Sequence, residues 1–78
     1  MEIQTERIKI TTEYIKLDQL LKFFGIAAIG SEAKSMVLDG IVEVNGEICT
    51  MQGKKIREGD VVTVNGDNIT VRLEVTSQ

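Results

Sequence analysis

The residues of this chain best equipped for chemistry are cations. Gly53-Lys54-Lys55-Ile56-Arg57 places three positive charges in four positions around one apolar side chain. A lysine ammonium presents three donors and an arginine guanidinium a planar fork of five, and neither carries an acceptor. Such groups bind anions, phosphate above all. If the segment is extended, Lys55 and Arg57 point to one side while Lys54 and Ile56 point to the other. Ile56 then anchors the segment and the cations reach solvent. Lys16 and Lys34, upstream, are the two further cations this reading enlists. A solvated loop is the commoner fate of such a run, so its weight depends on what the rest of the chain sets beside it.

Catalytic chemistry finds no carriers. The chain has no histidine, no proline and one cysteine, Cys49. Without histidine the commonest general base and metal ligand are both missing, and a zinc site has no ligand set. Cys49 has no base to activate it and reads as a core residue. The carboxylates are scattered, and Gly53 and Gly59 do not open onto a helix, so no loop cradles a phosphate. The expectation is a protein that is not an enzyme and takes no cofactor and no metal. Tyr14, Phe23 and Phe24 are too few to form a stacking platform among the cations, which disfavours single strands. Contact through phosphates and overall shape remains, and that suits folded RNA.

A net charge of −3 argues against such a partner, but the charge is segregated. From Lys16 to Arg57 six basic residues (Lys16, Lys22, Lys34, Lys54, Lys55, Arg57) face five acids, a balance of +1. The flanks hold three basic residues against seven acids, a balance of −4. Net charge alone therefore misleads about where an anion can approach.

Seventy-eight residues make one domain, expected over 1–78, with a small core. Residues 2–10 alternate as a strand, Ile8 and Ile10 on one face and Arg7 and Lys9 on the other. That charged alternation lacks the apolar core of a signal peptide, and no run is long enough to span a membrane. A lone cysteine fits a reducing cytoplasm. Leu17, Leu20, Leu21 and Phe24 recur at helical spacing and predict a helix over about 16–24, stopped by Gly25. Residues 26–29 read as a buried connector. Ser31 is the expected N-cap of a second helix, with Ala33, Met36 and Val37 inward, Glu32, Lys34, Ser35 and Asp39 outward, and Gly40 at its end. The two helices should pack on each other, with Phe23 at the edge of their shared core. Asn45-Gly46 between residues 41–44 and 47–50 is a strong hairpin signal, pairing Val44 with Glu47 and Val42 with Cys49. Glu58-Gly59-Asp60 forms a turn, residues 61–64 and 69–75 a second hairpin around 65–68, and residues 76–78 a frayed tail.

Four pieces of this layout, in this order, resemble the S4-like RNA-binding domain, the alpha-L motif, in its short stand-alone bacterial members of the YaaA/YbcJ type. Lys-Leu-Asp-x-Leu-Leu opens the first helix and Ser-Glu-Ala-Lys the second. Asp-Gly-x-Val-x-Val-Asn-Gly runs through the hairpin, and Arg-Glu-Gly-Asp precedes the next strand. Residues 16–62, about three fifths of the chain, carry the likeness. It implies an α+β fold in which two short packed helices lie against a small, mainly antiparallel sheet. It also implies a surface for structured RNA, ribosomal or transfer RNA, and so a ribosome-associated protein. Carried over by position, Lys16 stands where the family usually has arginine and Lys34 matches a basic residue of the second helix. Lys54, Lys55 and Arg57 match the cations before the Gly-Asp turn. Ala28-Ile29-Gly30 stands where many relatives carry serine or arginine, which thins the basic face. The competing reading is a protein–protein adaptor that keeps the fold and has little affinity for RNA.

Overall fold

The structure, a computed structural model, describes residues 2–77. In chain order it runs β1 (Glu2–Ile10), β2 (Ile15–Lys16), α1 (Leu17–Phe24), α2 (Gly30–Leu38), β3 (Val42–Val44), β4 (Glu47–Ile48), β5 (Lys55–Ile56), β6 (Val61–Asn65) and β7 (Ile69–Ser77). Five strands form one sheet in the order β1-β7-β6-β3-β4, and β2 pairs with β5 in a separate ribbon. The fold is α+β and mainly antiparallel. The exception is β1, which runs parallel to β7 along its full length, from Glu2 opposite Ile69 to Ile10 opposite Ser77.

Alternation dictates which face is buried. Val42, Val44, Val62, Val64, Leu73, Val75, Ile8 and Ile10 point to one side and are buried. Their register places Val42 opposite Val64 and Val62 opposite Leu73. Leu17, Leu20 and Leu21 of α1 and Ala33 and Val37 of α2 complete the same core. The second side of the sheet carries Glu43, Thr63, Arg72 and Glu74 at alternate positions, as expected of an antiparallel sheet covered on one face only.

Local signals act where expected. Gly25 takes φ 92° and closes α1 through its N–H to the Lys22 carbonyl. Asn45 and Gly46 both take positive φ, 52° and 87°, as a two-residue hairpin turn demands. The register sets Val44 against Glu47, and the Cys49 N–H reaches the Val42 carbonyl at 2.9 Å. Cys49 is half-buried against the core.

Other local signals are overridden. Ser31 does not cap α2: the helix begins at Gly30, its N-cap position is Ile29, and no side chain caps it. The first helical bond runs from the Ala33 N–H to the Ile29 carbonyl, so the helix starts two residues earlier than a Ser31 cap would place it. The connector is buried only at Ala27, and Ile29 is 58% exposed. Phe23 is not at a core edge but 66% exposed, because the Leu17–Leu20–Leu21 stripe faces away from it. The strand after the Asn-Gly turn stops at Ile48 and leaves Thr50 outside it. Thr76 and Ser77 are not frayed: they pair with Lys9 and Ile10 of β1, and the Thr76 hydroxyl donates to the Ile8 carbonyl. Gln78 lies outside the described residues.

Candidate functional site

The site is assembled at the start of α1. No side chain caps this helix. Its first free donors are met by a loop instead: the Leu17 N–H donates to the Lys54 carbonyl at 2.8 Å and the Asp18 N–H to the Gln52 carbonyl at 3.1 Å. Those bonds draw residues 52–54 against residues 16–18 and set up the β2–β5 ribbon. In it Ile15 lies opposite Ile56 and Lys16 opposite Lys55. Ile56 is fully buried and Ile15 half-buried, so this pair forms the inner face.

Period two then assigns the outer face. Lys16 and Lys55 stand on it, and one further step of the register sets Tyr14 across from Arg57. The Tyr14 ring confirms that step. The Lys55 Nζ lies 4.9 Å from its centroid and the Arg57 guanidinium carbon 5.6 Å. The outer face is thus a quartet of three cations and one aromatic ring.

This arrangement works against stability in two ways. Like charges directly opposite each other on a ribbon are destabilising, by roughly 0.2–1 kcal/mol. Lys16 is also the N-cap residue of α1, where a cation meets the positive end of the helix dipole, a cost of about 0.3–1 kcal/mol. What offsets these terms is modest. Each exposed cation–π contact contributes ~0.5–1 kcal/mol. Among the described residues one carboxylate pairs with these cations: Glu13 Oε1 sits 3.5 Å from Arg57 Nη1, in a pair whose side chains are 84% and 51% exposed. Such a pair contributes about 0–1 kcal/mol and is screened by salt.

Two nearby acids of the family-like motifs, Asp60 and Asp18, are committed elsewhere. Asp60 accepts the Arg57 N–H at 2.8 Å on one oxygen and the Asn45 Nδ2 at 3.1 Å on the other. Asn45 in turn accepts the Val61 N–H at 2.9 Å, while its own N–H donates to the Val61 carbonyl at 2.7 Å. Arg-Glu-Gly-Asp and Val-Asn-Gly are therefore two halves of one structural lock, which ties the β3–β4 turn to the exit of β5. Asp18 accepts the Gln19 N–H.

Of the five cations singled out in the sequence, the structure brings three together: Lys16, Lys55 and Arg57. Lys54 separates from them and lines an open groove with Val44, Ile48, Met51 and Asp60. Lys34 is exposed on α2 and shares no hydrogen bond, ion pair or ring contact with the others. Lys16 is borne by the ribbon and the helix cap rather than by the body of the helix. Tyr14 is the member that sequence reasoning missed. Its signal was its parity, two residues before Lys16, which becomes meaningful only once β2 is known to pair with β5. Among the described residues, no cluster of three or more potential metal ligands occurs, and no helix is long and apolar enough to cross a membrane.

Comparison with known proteins adds to this geometry. A sequence profile of the S4 domain matches residues 8–72. The chain is 39% identical over 59 residues to the "Probable ribosome maturation protein RlbA" of Bacillus subtilis (strain 168), covering 76% of this chain and 83% of that protein. Its fold is similar to that of Heat Shock Protein 15 from Vibrio cholerae, whose structure is described as trimeric, with a TM-score of 0.66 and 26% sequence identity. That match covers 74% of this chain and 58% of the Vibrio chain, so the chain spans under two thirds of that relative's length.

Proposed function

The chain belongs to the S4 domain family, and on that premise we propose that it is an RNA-binding module that engages structured RNA through the outer face of the β2–β5 ribbon. Lys16, Lys55 and Arg57 make the primary phosphate contacts, and Lys54 and Lys34 extend the basic surface to either side. The chain is not an enzyme: its family is a binding module, and neither relative is named for a catalytic activity. The name of the Bacillus relative points to the ribosome, and ribosomal RNA is accordingly the favoured partner over transfer RNA, in the cytoplasm.

The observation that carries this reading is the Lys16–Lys55 juxtaposition. Two cations held in register, one of them on the wrong end of a helix dipole, lower the stability of the free protein and gain a purpose when a polyanion lies across them. A ribbon selected for stability alone would carry an acid at one of these positions.

A salt titration with folded ribosomal RNA fragments tests it. With about three to four phosphates neutralised, log K falls against log salt with a slope of roughly −2 to −3, or ~20- to 60-fold between 50 and 200 mM. Changing Lys16, Lys55 and Arg57 together to Ala should flatten that slope by about 2–3 and weaken binding on the order of 100-fold. A second reading, a protein–protein adaptor, draws on Ile48 and Met51, both 66% exposed beside the Lys54 groove. Under it, ribosome association survives the triple substitution.

A further inference from the structure

We propose that Tyr14 is a stacking residue that takes one unpaired nucleobase of the bound RNA, so that the site prefers a helix carrying a bulged or looped-out nucleotide to a continuous duplex. The inference rests on the RNA-binding reading above. Tyr14 is half-buried, with its backbone held by the Thr12 hydroxyl, which donates to the Tyr14 carbonyl at 2.8 Å. Its own hydroxyl makes no hydrogen bond among the described residues, so nothing polar commits the ring to the interior. What covers it is the end of an exposed side chain: the Lys55 ammonium, 4.9 Å from the centroid, with the Arg57 guanidinium at 5.6 Å.

A long, flexible lysine is a cover that can leave. Its ammonium exchanges the ring for a phosphate as electrostatic partner, and the vacated face is then open to a base. A base stacked on an aromatic side chain gains more than an exposed cation–π contact loses. Bases inside a duplex are already stacked on one another, so a single ring can take only a base that is out of the helix. The two cations over the Tyr14 ring, with Lys16 opposite Lys55 on the same face, are placed to hold the phosphates that flank such a nucleotide. Phe23 offers the contrast. It is a more exposed aromatic that lines an open notch with Lys9, Ile10, Thr12 and Ile15, but among the described residues no cation lies over its ring.

The test uses the full chain with two RNA probes, a blunt duplex and the same duplex with one unpaired 2-aminopurine. The wild-type protein should bind the bulged probe tighter by about 5- to 150-fold, the range of one base–aromatic stack, and quench its fluorescence. Tyr14→Phe should keep the preference and the quench. Tyr14→Leu should abolish both, bringing the two probes to equal affinity through a loss confined to the bulged one; thermal unfolding verifies that it is folded. Phe23→Ala should change neither. Equal wild-type affinity for the two probes without quenching, or an equal loss on both in Tyr14→Leu, overturns the proposal and makes Tyr14 a spacer for Lys55 and Arg57. No wild-type binding of either probe overturns it together with the RNA-binding reading.

Discussion

The Asn45–Asp60 lock and the outer face of the β2–β5 ribbon are near neighbours in the chain, both polar, both drawn from family-like motifs, and they are built on opposite terms. In the lock, both Asp60 oxygens and both ends of the Asn45 amide are used within the protein. On the ribbon, three cations share one carboxylate, and two of them face each other directly. A polar group whose partners are all internal fixes a turn. A cluster of charge with only weak, exposed internal partners is available to a ligand. Motif membership does not separate the residues that hold the fold from those left open to a ligand; the partners each polar group has inside the protein do.

The comparison can be broken from either side. The largest effect is expected on the lock. Asp60→Ala leaves the Arg57 N–H and the Asn45 amide without their acceptor and should cost about 1–3 kcal/mol in urea unfolding. RNA affinity measured where the variant is fully folded should move little, and a loss of binding without a loss of stability would transfer Asp60 to the ligand-facing side. On the ribbon the sign reverses. Lys16→Asp puts a favoured N-cap residue at the start of α1 and replaces a like-charge pair with an opposite one. Stability should rise by about 0.5–2 kcal/mol while RNA binding weakens on the order of tenfold. A variant that is both less stable and weaker binding would show that the lysine stem supports the fold. The smallest effect belongs to Glu13→Gln. Freeing Arg57 from its exposed ion pair should tighten RNA binding by about two- to fivefold at low salt, an advantage that fades as salt is raised. Filter binding at two salt concentrations would detect it, and unchanged affinity would mean that Glu13 does not compete with the RNA.

Several of these features are legible without coordinates because they are local. The stripe of Leu17, Leu20 and Leu21 and the left-handed Gly25 bound α1 within a residue. Asn45-Gly46 needs only its own two dihedrals to set the register of β3 and β4. Ile56 among cations reads as an anchor because an isoleucine cannot gain by exposure, and it is fully buried. Ser31 shows the limit of the same logic: a good cap in isolation is bypassed when the helix starts two residues earlier, with Ile29 at the N-cap.

The sequence alone was enough for the two helices, the hairpins, the core stripes and the parity that turns Lys55 and Arg57 to one side. Each follows from interactions within a few residues, where periodicity and backbone sterics leave little choice. Only the tertiary structure decided that β1 pairs in parallel with β7, and that the loop before β5 caps α1 and so places Lys55 opposite Lys16. It also decided that Lys54 leaves the cluster and Tyr14 joins it. A two-residue strand has no period to read, and its partner far along the chain is selected by helix donors that need acceptors and by apolar side chains that must share one core.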